Sequence, residues 1–113
     1  MSNSYIRFLN TIDALGRANP ARALDSTEIQ LLEYVLLAAD KGQILLVGDL
    51  IQLSQFGSQA TLHGRIKNLS VLGYLKLVSD KVDGRKKFVV PTKLAHKYVQ
   101  FLSDCIETSL KKS

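Results

Sequence analysis

The stretch Ser58–Thr92, SQATLHGRIKNLSVLGYLKLVSDKVDGRKKFVVPT, constrains the fold more than any other part of the chain. Ser58 is a good helix N-cap, because a serine hydroxyl accepts from a backbone N–H that the first turn leaves unpaired. From there Leu62, Ile66 and Leu69 recur at spacings of four and three, which is one apolar face of an α-helix. Polar Gln59, Thr61, His63 and Lys67 fall elsewhere around it. The helix is expected to end near Leu72-Gly73. Tyr74–Ser79 then places Leu75 and Leu77 on one face of a strand, and Lys87–Val90 is a second β-prone run. The segment KVDGRK between them carries Asp-Gly, a strong short-range hairpin signal. The sequence therefore predicts a helix with a polar face followed directly by a basic β-hairpin.

Upstream, residues 2–15 place Ile6, Leu9 and Ile12 near helical spacing, with Tyr5 and Leu15 beside them, and Gly16 and Pro20 close the segment. A second helix has a clear start. Asp25 is placed to cap it, Glu28 stands where a capping box needs a carboxylate, and Leu24 and Ile29 suit a hydrophobic staple. The run LLEYVLLAA is apolar on most sides and is expected to be largely buried, with Lys41-Gly42 as its stop. Ile44–Leu46 reads as a brief strand. VGDLIQLSQ reads as a helix packed through Leu50 and Leu53, and Phe56-Gly57 as the turn of a helix-turn-helix. After Pro91, Thr92 is placed to cap a last helix lined by Leu94, Tyr98, Phe101, Leu102, Cys105, Ile106 and Leu110. The order is H-H-E-H-H-E-E-H, an α+β and mainly helical class.

Charge separates the two halves of the chain. Residues 1–57 carry four Lys/Arg against six acids, and residues 58–113 carry eleven against four, so the second half holds a net +7. That is the electrostatic footprint of a polyanion ligand. A length of 113 residues with 46% hydrophobic content suits one packed domain. One cysteine makes no internal disulfide, and no apolar run reaches signal-peptide or membrane-span length, so a soluble cytoplasmic protein, with no membrane partner, is expected.

With these parts in this order, the chain resembles the MarR family of winged-helix transcription regulators over roughly residues 24–95. Leu50–Gly73 resembles the family's helix-turn-helix, ending in the step Leu69-x-x-x-Gly73-Tyr74-Leu75. The segment DKVDGRKKFVVPT keeps Asp80, Asp83, Arg85 and Thr92 at the spacing of the family's D-x-x-D-x-R…T wing signature. The resemblance implies a winged helix-turn-helix domain over residues 1–113, with flanking helices over 1–17 and 93–111 serving dimerisation. It implies a recognition helix, 58–72, in the major groove and a wing, 80–87, at the minor groove of double-stranded DNA.

The residues expected to meet DNA from the helix are Ser58, Gln59, Ala60, Thr61, His63, Arg65 and Lys67. From the wing they are Lys81, Asp83, Arg85, Lys86 and Lys87. Arg85 suits the negative potential of a minor groove, with Asp83 holding its guanidinium. Gly64 lies inside the helix at a cost of about 1 kcal/mol relative to alanine, which suits a close approach of DNA. Tyr5, Ile6, Leu9, Ile12, Tyr98, Leu102, Cys105 and Ile106 are expected to line a two-fold homodimer interface, giving a repressor that reads a palindromic operator. The resemblance leaves a place for a small-molecule effector of unspecified identity.

Other chemistries find little support. His63 and His96 are isolated, no Cys/His/carboxylate set has metal-ligand spacing, and there is no nucleophile elbow or phosphate loop, so neither a cofactor nor an enzyme is expected. Cys105 reads as a buried thiol before a redox sensor. A winged helix serving as a protein-interaction adaptor without sequence-specific DNA binding is the alternative, and the charge of the second half argues against it.

Overall fold

In the computed structural model, which describes residues 3–111, the elements follow the expected order with one added 3-10 turn. They are α1 (Ser4–Ala14), the turn Gly16–Ala18, α2 (Ser26–Asp40), β1 (Leu45–Leu46), α3 (Val47–Ile51), α4 (Gln59–Val71), β2 (Leu75–Ser79), β3 (Lys87–Pro91) and α5 (Lys93–Lys111). The chain divides into two compact units. One spans Leu24–Ala95; the other is made from the chain's ends, up to Ala23 and from His96 onward.

The Leu24–Ala95 unit is the winged helix. Its core takes Leu31, Leu32 and Val35 from α2, Leu50 from α3, Leu62, Ile66 and Leu69 from α4, and Leu75 and Val89 from the sheet, none more than 5% exposed. Burying each such side chain contributes about 1.5–3 kcal/mol. The sheet is antiparallel in the order β1-β3-β2, with Leu45 opposite Val89 and Leu75 opposite Pro91. Pro91 lacks a donor for a central strand, but β1 reaches only Val89 and Phe88 and so never faces it.

Both long helices of this unit stop in the same way. At the end of α2, Gln43 N donates to Ala38 O (2.9 Å) and Gly42 N to Ala39 O (3.0 Å), with Gly42 at φ 73°. At the end of α4, Tyr74 N donates to Leu69 O (2.9 Å) and Gly73 N to Ser70 O (3.1 Å), with Gly73 at φ 91°. Each is a Schellman stop, in which only glycine enters the left-handed region without strain. The second one turns the chain straight from α4 into β2. Thr92 then fixes the far end of the wing: its hydroxyl reaches Gly73 O and Tyr74 O (3.1 Å for the latter) and accepts from Ala95 N at 3.4 Å, capping α5.

Within the other unit, Asn3 caps α1 by accepting from Ile6 N at 3.0 Å. Arg7 Nε donates to Ser109 O at 3.0 Å, which ties α1 to the last turns of α5. Burial along α5 follows one stripe, with Ala95, Tyr98, Cys105 and Ser109 buried and Leu102 half-buried.

Several expectations are altered. The first helix begins at Ser4, where Asn3 supplies the cap. The second is less buried than its composition suggests: Leu37 is 62% exposed, because the buried stripe runs through Leu31, Leu32, Val35 and Ala38. The strand at 44–46 shrinks to two residues, leaving Ile44 75% exposed. The helix expected over VGDLIQLSQ ends at Ile51 and gives way to turns, with Leu50 buried and Leu53 only half-buried. Among the dimerisation residues, Tyr5, Ile6, Leu9 and Ile106 are exposed, and Ile12 and Leu102 are half-buried. Tyr98 and Cys105, at 5% and 1% exposure, lie on the buried stripe of α5.

Candidate nucleic-acid interface

The expected recognition helix is α4, and the sequence builds its start locally. Ser58 Oγ accepts from Thr61 N at 3.2 Å and donates to Thr61 Oγ1 at 2.9 Å, so both hydroxyls are engaged in holding the first turn. At about 100° of rotation per residue, the helix has four distinct sides. Leu62, Ile66 and Leu69 face the core. Gln59, His63 and Lys67 form one exposed flank, and Thr61, Arg65 and Asn68 the other. Ala60 and Gly64 lie outermost between them, and a Cβ added at Gly64 would meet nothing within 4 Å.

The wing is built by its acids. Strands β2 and β3 stay in register to Ser79–Lys87, and Asp80 N donates to Lys86 O at 2.9 Å across the base of the loop. Asp80 Oδ1 accepts from Val82 N at 3.2 Å, and Asp83 Oδ1 accepts from Arg85 N at 3.1 Å. Lys86 N closes a turn on Asp83 O at 3.0 Å. The Asp-Gly pair is therefore not the centre of a two-residue hairpin. Gly84 has no positive φ, and Asp83 opens the turn as its first residue, where a carboxylate bonds the backbone two positions on. The same carboxylate accepts from Arg85 Nε at 3.2 Å, while the Arg85 side chain stays 93% exposed.

These two elements meet across an open groove of about 700 Å³. His63 and Lys67 line one wall, Arg85, Lys86 and Lys87 the other, and Gly48 of α3 and Gln52 just after it lie along it. The groove thus gathers five of the expected DNA-contacting residues from opposite ends of the Ser58–Thr92 stretch. Its acid, Asp49, is occupied: Oδ2 accepts from Leu46 N at 2.8 Å, capping α3. Four cations facing one concavity make a surface suited to a polyanion backbone. Lys81, Gln59, Ala60 and Thr61 are exposed outside the groove lining.

Arg65 departs from the expectation of a free cation. Its Nε pairs with Asp25 Oδ2 at 3.0 Å, with the two side chains 45% and 42% exposed. One turn on, Asn68 Nδ2 donates to Glu28 Oε2. Glu28 is 3% exposed, and its Oε1 accepts from Asp25 N at 3.0 Å while Asp25 Oδ1 accepts from Glu28 N at 2.8 Å. The capping box of α2 was legible in sequence; its second use, as an anchor for α4, was not. The available signal was the spacing of Arg65 and Asn68, three apart on a flank opposite to the basic one. Gly48 and Gln52 were also missed, since neither belongs to a motif.

Cys105 is buried, and desolvation together with nearby Asp104 raises its thiol pKa, so the unreactive protonated form is favoured. Among the described residues, no group of three or more His, Cys, Asp or Glu is placed to hold a metal ion, and no helix is long and apolar enough to cross a membrane.

The fold defines a class. Solved structures of bacterial transcriptional regulators superpose on nearly the whole chain. A probable transcriptional regulator from Pseudomonas aeruginosa matches with a TM-score of 0.56 at 16% identity, over 96% of this chain and 74% of its own. The heme sensor protein PefR from Streptococcus agalactiae, solved with heme, matches at 0.55 and 18% identity, over 98% and 81%. Bordetella bronchiseptica BpsR, whose DNA binding is regulated by 6-hydroxynicotinic acid, matches at 0.52 and 21%, over 97% and 80%. Neither a protein-family model nor a curated protein sequence matches the chain, so the likeness rests on three-dimensional structure. At these identities it carries the fold: the chain is a mainly helical α+β protein with the winged-helix fold of such regulators.

Proposed function

We propose that the protein is a sequence-specific double-stranded DNA-binding transcriptional regulator, acting as a homodimeric repressor on a palindromic operator. The observation that carries this reading is the groove in which His63 and Lys67 of α4 face Arg85, Lys86 and Lys87 of the wing. In this reading α4 enters the major groove through Gln59, Ala60, Thr61 and His63, with Ser58 fixing its first turn. Lys67, Lys81, Lys86 and Lys87 neutralise phosphates, and Arg85 reaches the minor groove from a turn that Asp83 shapes. Exposed Tyr5, Ile6, Leu9 and Ile106 supply the apolar surface for a second copy. Two such units, related by a two-fold axis, read half-sites about one DNA turn apart.

Selection of duplexes from a random library with purified protein tests the reading, followed by anisotropy titrations across salt concentrations. The expected result is an enriched palindromic motif and a log–log salt slope that drops by about 0.9 for each phosphate-contacting lysine removed. No enriched sequence, or binding indifferent to salt, would leave the adaptor as the better account. Sedimentation of the protein alone checks the dimer, a monomer at micromolar concentration being the contrary outcome.

A further inference from the structure

The two polar contacts between α2 and α4 do something that the DNA-contact reading leaves unused. Every oxygen of the Asp25–Glu28 capping box has a partner. Asp25 Oδ1 and Glu28 Oε1 close the start of α2, at 2.8 and 3.0 Å. The remaining two, Asp25 Oδ2 and Glu28 Oε2, receive Arg65 and Asn68 of α4. A helix held to its neighbour by leucines alone keeps some freedom to roll, because apolar contacts are non-directional. Two charge-assisted bonds, one turn apart on a single flank, add direction that such contacts lack and so restrict that freedom. The flank they hold is the one opposite Gln59, His63 and Lys67, so the roll they fix is the one that aims this basic side.

We propose that Arg65 and Asn68 are positioning residues, which act through Asp25 and Glu28 to set the angle at which α4 presents Gln59, His63 and Lys67 to DNA. The proposal rests on the DNA-binding reading above and reassigns Arg65 within it from a DNA contact to an anchor. The two roles of Arg65 make opposite predictions for Asp25. If Arg65 served phosphates, loss of the Asp25 charge would free a cation beside DNA and tighten all binding. If Arg65 is an anchor, the same change loosens the helix and costs discrimination between sequences.

Asp25→Asn is the decisive variant, because asparagine caps a helix about as well as aspartate and the fold is retained. Kd is measured by anisotropy for the selected operator and for a scrambled duplex, in wild type, Asp25→Asn, Arg65→Gln and the double variant, with melting curves alongside. The expected result is a specific-to-nonspecific affinity ratio lower by about fivefold in Asp25→Asn, with Arg65→Gln adding little further in that background, since coupled residues are not additive. Asn68→Ser, which shortens the donor out of reach of Glu28, is expected to lower the same ratio. Tighter operator binding by Asp25→Asn, or additive losses in the double variant, would overturn the proposal and return Arg65 to the contact surface. An unchanged ratio in both Asp25→Asn and Asn68→Ser would overturn it too. A wild-type protein that prefers no sequence would instead bring down the DNA-binding reading, and this proposal with it.

Discussion

Two aspartate–arginine pairs, one joining the start of α2 to α4 and one at the tip of the wing, do different work. Asp25 and Arg65 lie 40 residues apart in sequence, and both are less than half exposed. Asp83 and Arg85 lie two apart, with the arginine 93% exposed. Joining distant residues constrains how two helices sit against each other. Joining near neighbours constrains only the turn that contains them and leaves the guanidinium free to meet something else. An ion pair thus carries no meaning of its own; sequence separation and burial decide whether it fastens structure or displays charge.

Five changes test that contrast, ordered by expected size. Glu28→Ala removes the buried carboxylate beneath the Asp25–Arg65 pair and leaves the Asn68 amide and Asp25 N–H without acceptors. We expect a loss of about 1–3 kcal/mol in denaturant unfolding, whereas Asp83→Ala, at the exposed tip, stays below about 1 kcal/mol. Equal losses from the two would erase the distinction. Arg85→Ala is expected to reverse the pattern, weakening specific DNA binding by about 1–3 kcal/mol with an unchanged melting temperature. A variant that binds its operator as wild type does would take the wing out of recognition.

Gly64→Ala separates the two kinds of effect within one helix. The added methyl meets nothing in the protein, so stability should rise by about 1 kcal/mol. Operator affinity should nonetheless fall, because that methyl stands on the outermost line of α4. Improved binding would mean that another side of the helix faces DNA. Lys86→Ala, at the groove wall, should be the mildest: a roughly uniform weakening across sequences and a salt slope shallower by about 0.9. A sequence-dependent loss would make Lys86 a reader of bases.

What was legible in the sequence divides along the same line of separation. The caps at Asp25, Ser58 and Thr92, the glycine stops at Gly42 and Gly73, and the order of helices and strands all rest on residues within a few positions of one another, and all appear in the structure. The wing was legible as a hairpin but not in its turn. Asp-Gly suggests a turn centred on glycine at positive φ, whereas the longer loop lets Asp83 open the turn by bonding Arg85 N. The α4 anchor was not legible, because nothing local distinguishes an arginine that meets an aspartate 40 residues upstream from one that meets a phosphate. The exposure of Leu37 escaped for a related reason, since composition gives the apolar content of α2 and only packing decides which side is covered.

The hydrogen bonds that Asp80 and Asp83 accept within the wing also bear on the time course of binding. A loop that must be ordered on contact makes its partner wait for the right conformer and charges the complex with lost entropy. This tip is already shaped in the free chain, with Val82 N, Arg85 N and Lys86 N each bonded. For the duplex proposed as its ligand, encounter then requires no folding step, and the lysines beside the tip steer approach by charge alone. On that proposal the acids of a basic wing, which look out of place beside a polyanion, are the part that makes its arrival fast.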